Sequence, residues 1–392
     1  MINNLKKNNL WIYFFPALMD LSVAAVLLFS AIRAVEIGIK PVVLGTLGSV
    51  WGITYFFSSL ALSKFISKQN ASSFMIASCT GFMFIGLFFY TCNSILPLFI
   101  LLFAGGLVSA FFFVGFQLFM GDNTGFAHYR TAALYTLSWS SGMAFGSLVE
   151  GFFIGSGTFY AQLPVLISSL LIIFGIIISR NTGRNIRSSV SKPDTVSQYS
   201  ENFIRFYTKI AWIEIFTVTF VTTGVRYLLP KLTISFFDFT QSMAGTVVFV
   251  FFIFQAMAGF LSSFYEKLRY HLLFHNFIKY IGIISLFIPI IIPNSFGIFL
   301  FAGLFGIYAG HAFYAAVFYA INDEKRSGFN VGINEALVGV ASVCGPFISG
   351  LMLNAGIKHF LIFPCVVLIV CIFIEGRLLK NFRRNECPSK GL

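Results

Sequence analysis

Twelve runs of predominantly apolar residues, each near twenty residues long, take up most of this chain. They lie at about 10–32, 41–63, 71–92, 95–120, 131–154, 160–179, 208–229, 240–264, 272–292, 295–320, 329–354 and 358–376. An α-helix rises 1.5 Å per residue, so about twenty residues cross the ~30 Å hydrocarbon core of a bilayer. In that solvent every backbone N–H and C=O must be bonded within the protein, which a helix achieves segment by segment. The expected fold class is therefore an all-α membrane protein with twelve transmembrane helices. Composition points the same way. With 57% hydrophobic and 10% charged residues, the chain has too few charges for a soluble domain, where roughly 25% is usual. The first run follows Lys6 and Lys7 as a secretory signal would. It is longer than a typical signal core and no small-residue cleavage site follows, so it reads as a span.

Lys and Arg favour cytoplasmic loops. With both termini placed inside, 21 of the 26 Lys and Arg residues fall on the inner side; Arg33, Lys40, Arg226, Lys231 and Lys358 fall outside. The expectation is a multi-pass protein of the cell (inner) membrane with both ends cytoplasmic. The same asymmetry, with attraction to anionic lipid, accounts for the net charge of +12 without nucleic acid as a partner. No P-loop, H-E-x-x-H helix, paired-Cys zinc spacing or nucleophile elbow occurs, so no enzyme activity, metal or cofactor is expected. The cysteines in and beside the runs read as small buried hydrophobes without a disulfide.

One long polar segment, Arg180 to Lys209, divides the runs six and six. It reads as a cytoplasmic linker, with a first unit at 1–179, the linker at 180–207 and a second unit at 208–392. A shift of 199 positions sets Gly146 on Gly345 and Gly151 on Gly350. The same shift brings the turn of Asp122 and Arg130 near that of Asp323 and Arg326, which suggests an internal repeat.

The residues from Asn330 to Gly350 read NVGINEALVGVASVCGPFISG, a glycine-rich stretch ending in Gly345-Pro346 and a further Gly350. The fifth run carries Gly142, Gly146 and Gly151, with Ser147 at the place of a proline, and Ser63, Lys64 and Lys68 follow the second. On these residues the chain resembles a bacterial-type twelve-helix member of the Major Facilitator Superfamily. That resemblance implies two pseudo-symmetric six-helix bundles, expected as a monomer, that rock around a central site. It also implies that helices 1, 4, 7 and 10 line a cavity while 3, 6, 9 and 12 face lipid. Gly142, Gly146, Gly339, Gly345, Pro346 and Gly350 are the expected helix-packing positions.

A charge at membrane depth costs about 2.5 kcal/mol or more, so each one calls for an explanation. Asp20 is near the middle of the first run, on a face with Tyr13, Ala17, Ala24 and Ala31 that leaves room beside its carboxylate. It is the first candidate for a proton-coupling or substrate-binding group. Glu214, about six residues into its run, is a second, with solvation by inner water as the rival reading. Arg226 lies too far along the same helix to pair with Glu214. It either snorkels outward, meets an acid such as Asp238, or binds an anionic substrate. Glu335 shares a face with Gly339, Ser342 and Pro346. His311 lies between Tyr308 and Tyr314, Gln117 is a weaker candidate on helix 4, and Glu150 another on helix 5. Charged groups and histidines on helices 9 and 12 (His275, Lys279, Lys358, His359, Glu375) stand towards the helix ends. The function expected is a secondary active transporter for a small organic solute, coupled to protons and exporting by antiport. A proton-coupled importer is the alternative, and a membrane sensor or scaffold without transport is the alternative of another class.

Overall fold

The computed structural model describes residues 10–62, 65–67, 69–121, 128–181, 201–265, 270–322 and 327–386. The turns of Asp122 and of Asp323 and Arg326, and residues 182–200 of the expected linker, lie outside them. Among the described residues there are twelve helices of eighteen residues or more. In chain order they are α1 (Phe14–Glu36), α2 (Pro41–Leu62), α3 (Ala71–Phe88), α4 (Ile95–Gly121), α5 (His128–Ile154) and α6 (Leu163–Asn181). There follow α7 (Glu201–Phe237), α8 (Gln241–Ser262), α9 (Leu272–Ile291), α10 (Ser295–Asn322), α11 (Ser327–Ala355) and α12 (Ile357–Glu386). Ten helical segments are long and apolar enough to cross a membrane; α5 and α7 fall short. Both run between the two sets of six helices, α5 against α1, α8 and α10, and α7 against α1, α10 and α11. A helix covered by protein on most sides needs fewer apolar residues than one bathed in lipid.

The packing repeats itself. In the first six helices α1 packs on α5 and α6, α2 on α4, and α3 on α4 and α6. Adding six to each number gives the packing of the second six: α7 on α11 and α12, α8 on α10, and α9 on α10 and α12. The two sets meet mainly through α5 on α8 and α2 on α11, which exchange under the same rule. Individual residues follow. A methyl group on Gly146 would overlap the Leu21 carbonyl oxygen of α1, and one on Gly345, 199 positions later, that of Phe220 on α7. A Cβ on Gly151 would stand 2.8 Å from the Gly245 Cα, and one on Gly350 would stand 3.1 Å from the Gly45 Cα. These glycines let backbones approach where lipid offers no hydrophobic force to drive helices together.

The lipid-facing sides are legible in exposure. On α9 the exposed residues Leu273, Phe277, Tyr280, Ile284, Phe287 and Ile291 recur every three or four positions, as one helix face does. The opposite face of α9 is buried and carries His275 and Lys279. On α12, Val366, Ile369, Val370 and Phe373 face out while Cys365, Leu368, Cys371 and Glu375 face in.

Candidate functional site

A cavity of about 210 Å³ lies where the two sets of six helices meet. α1 gives it Asp20, Val23 and Leu27, α2 gives Trp51 and Tyr55, α4 gives Ser109 and Phe113, and α5 gives Tyr135, Trp139 and Met143. From the second set come Ile215, Thr219, Thr223 and Arg226 on α7, Phe313 on α10, and Glu335 and Ser342 on α11. Among the described residues α3, α6, α9 and α12 contribute no wall residue. Three of the sequence candidates, Asp20, Arg226 and Glu335, are therefore brought to one chamber.

The chamber's wall is mostly aromatic, and its charges are few. Asp20 is 7% exposed and its Oδ2 atom has no hydrogen-bond partner. Arg226 and Asp20 act on each other electrostatically without a direct ion pair among the described residues. The guanidinium carbon of Arg226 stands 5.9 Å from the centre of the Phe252 ring, a cation–π contact. Neither outward snorkelling nor pairing with Asp238 holds for Arg226. It points into the bundle because an arginine midway along an enclosed helix finds its counter-charge across the cavity and not at a distant surface. Glu335 and Asp20 both lie within electrostatic reach of Tyr55.

At the end remote from Asn181 and Glu201, hydrogen bonds tie the two sets of helices. Ser30 Oγ and Tyr227 Oη are 3.1 Å apart between α1 and α7. The Gln241 amide donates to Glu36, which also binds Arg33 at 2.5 Å. Further in, Gln255 on α8 donates to Ser140 Oγ on α5 at 2.8 Å, and Ser49 Oγ on α2 donates to the Val343 carbonyl at 2.6 Å. Of the expected packing residues, Gly339, Pro346 and Gly350 on α11 face α2 across this boundary, while Gly142 packs on α1 within the first set. Methyl groups on Gly142 and Gly339 would overlap Ala17 and the Phe56 ring, and Pro346 abuts Gly45 and Gly48.

Glu214 and His311 are elsewhere. Ile215 faces the cavity, and Glu214, one residue earlier, faces away from it into the second set of helices. It is 2% exposed and lies 2.5 Å from Lys279 Nζ, which also binds Glu375. Solvation of Glu214 by water at the membrane surface is thereby overturned: α7 begins at Glu201, earlier than the apolar run suggests, so Glu214 is deep in its helix. Lys279 and Glu375, which stand towards the ends of their runs in the sequence, are 1% and 0% exposed. His311 Nδ1 is 2.9 Å from Ser262 Oγ, and its Nε2 is 2.7 Å from His275 Nδ1. His275 Nε2 in turn is 2.6 Å from Tyr319 Oη. This chain borders a larger cavity, about 310 Å³, whose rim includes the exposed Met257, Leu261 and Tyr265. That cavity lies within α8, α9 and α10 alone, whereas rocking of two bundles acts on a site between them.

Gln117 lies on α4, with its side chain outside the described residues. Glu150 on α5 is fully buried, and neither carboxylate oxygen has a partner. Sequence position missed His275, Lys279 and Glu375 because it gives depth along a helix and not the side it faces. The three-to-four-residue rhythm of Leu273, Phe277, Tyr280 and Ile284 is the signal that turns Lys279 inward.

Neither protein-family models nor curated protein sequences match the chain. Solved structures do. One is the human organic anion transporter MFSD10 (TETRAN), 12% identical, with a TM-score of 0.62 over 93% of this chain and 98% of that one. Another is a bacterial homolog of the human lysosomal transporter Spinster, in an inward-facing and occupied conformation. It is 13% identical, with a TM-score of 0.65 over 95% of this chain and 97% of that one. The chain thus has the fold of these membrane transporters along nearly its whole length, the fold that its resemblance to the Major Facilitator Superfamily implies.

Proposed function

We propose that the chain is a twelve-span secondary transporter that carries a small organic cation through the central cavity in exchange for protons. The observation that carries this reading is the lining of the chamber: the carboxylates of Asp20 and Glu335 and, among the described residues, the guanidinium of Arg226, within walls of Trp51, Tyr55, Phe113, Tyr135, Trp139 and Phe313. Aromatic faces and carboxylates together suit a cationic organic molecule. A cation and a proton compete for the same carboxylates. Release of one therefore accompanies binding of the other, and alternation between two access states turns that competition into antiport. With the termini cytoplasmic, protons entering drive the solute out.

Arg226 favours a second reading, in which an organic anion binds the guanidinium once Asp20 has taken a proton and the two travel together. The human transporter of the same fold is described as carrying organic anions. Purified protein in proteoliposomes with an imposed pH gradient, challenged with panels of organic cations and anions while internal pH is followed, separates the two. Antiport predicts that cations dissipate the gradient, with Asp20→Asn inactive. A response to anions alone, lost in Arg226→Gln, would overturn it, and no response to either panel from folded protein favours a sensor or scaffold.

A further inference from the structure

The second set of helices holds an ionisable cluster that the cavity does not use. Lys279 Nζ sits between two carboxylates, Glu214 on α7 and Glu375 on α12, with all three groups 3% exposed or less. The ammonium thus occupies the space that a metal ion bridging the two acids would need. Charge does not balance: two ionised carboxylates and one ammonium leave a net −1 inside the bundle. The hydrogen bonds show where the imbalance lies. Glu375 accepts from Lys279 on Oε2 and from the Cys371 thiol, 3.4 Å away, on Oε1, so both its oxygens have donors. Glu214 receives Lys279 on Oε1, but its Oε2 is buried without a partner. An unpaired oxygen costs far more as part of a carboxylate than as part of a neutral acid.

The fold itself does not ask for these charges. Leu21 and Phe220 occupy matching places under the glycine contacts, which sets Phe15 of α1 on Glu214 by the same shift of 199. Under a shift of 200 the buried positions of α3 (Met75, Ser78, Cys79, Phe82, Ile85, Gly86) fall on those of α9 (His275, Ile278, Lys279, Gly282, Ser285, Leu286). That shift also sets Gly175 on Glu375, and a Cβ on Gly175 would stand 2.8 Å from the Phe15 ring. The first set therefore fills with Phe15, Cys79 and Gly175 the space that the second fills with two acids and a lysine.

We propose that the Glu214–Lys279–Glu375 cluster is a binding site for one exchangeable proton, held on Glu214 Oε2 and separate from the central cavity. Both states are simple. With the proton bound the cluster is neutral, and with the proton gone it carries one negative charge. The titratable groups around it are Cys371 on α12, His275 one turn away on α9, and Tyr308, His311 and Tyr319 on α10, which feel the charges of Glu214 or Lys279. The chain through His275 lies on the linker side of the cluster. Ser262 Oγ gives its hydrogen to the Ala258 carbonyl at 2.7 Å, so it accepts from His311 Nδ1. His311 Nε2 then accepts from His275 Nδ1, and His275 Nε2 from the Tyr319 hydroxyl, all in one direction. α7 joins the cluster to the cavity, since Ile215, Thr219 and Arg226 stand on its other face.

The test uses the full chain in phosphatidylcholine liposomes and the proton itself as ligand. Infrared difference spectra are recorded while pH is stepped between about 5 and 9, a range that bare carboxylates do not span. Wild-type protein should show a carboxylic-acid C=O component that disappears as pH rises. Glu214→Gln should abolish it, leaving Lys279 and Glu375 as a neutral pair with thermal stability close to wild type. Glu375→Gln should abolish it too, because Glu214 then stays ionised against Lys279. Asp20→Asn and Glu150→Gln, which remove the other buried acids, should retain it. The proposal is overturned if the component survives in either cluster variant, if wild-type protein has none, or if at fixed pH it responds to NaCl and not to KCl. No solute is involved, so failure here leaves the cavity reading intact, and failure of transport leaves this one intact.

Discussion

The two sets of six helices share a packing plan and differ in what they enclose. α1 is joined to α6 by a pair of hydroxyls, Ser22 and Ser168, 2.5 Å apart. α7 and α12 are joined instead through Glu214, Lys279 and Glu375, which stand at the places of Phe15, Cys79 and Gly175 in the first set. α3 buries Met75, Cys79 and Phe82, where α9 buries His275, Lys279 and a glycine. The glycine contacts, by contrast, recur in both sets with partners at matching places, Leu21 for Gly146 and Phe220 for Gly345. Architecture here comes from close backbone approach, which both halves keep, while interior chemistry is free to diverge. The chamber between them draws Asp20 from one half and Arg226 and Glu335 from the other.

The sharpest way to break this comparison is Lys279→Met. If the lysine balances buried acids, its loss leaves carboxylates unpaired and costs about 3–5 kcal/mol, read as a fall in the thermal unfolding midpoint. A midpoint unchanged from wild type would mean that water reaches the cluster. Asp20→Asn comes next. It should lower solute-driven proton flux by about a hundredfold, equivalent to about 2.7 kcal/mol, with the elution profile and midpoint kept. Matched variants of the shared plan follow: Gly146→Leu and Gly345→Leu should each cost about 1–3 kcal/mol through overpacking. If only one of the two destabilises, the equivalence of α1 on α5 with α7 on α11 fails. The smallest effect is that of Ser22→Ala, about 1 kcal/mol for a lost hydrogen bond, well below that of Lys279→Met.

Helical class and ten of the twelve expected spans were legible because a bilayer demands length and apolarity, both properties of consecutive residues. α5 and α7, read from the sequence as runs, fall short in apolarity, and local hydropathy carries no record of the helices packed against them. The sequence repeat was readable at Gly146 and Gly345, since close approach admits few residue types. Depth was readable too, and it drew attention to Asp20, Arg226 and Glu335, which the structure brings to one cavity. The side each charge faces was not. Arg226 and Glu214 lie on one helix, yet one points to the cavity and the other to Lys279.

By itself, then, the sequence determined that the chain is a bundle of membrane-length helices in two related halves, because solvent and repeat act along the chain. Only the tertiary structure decided which charges meet. A pairing such as Lys279 with Glu214 and Glu375 depends on how three helices turn about their axes, and that rotation is set by packing against neighbours distant in sequence.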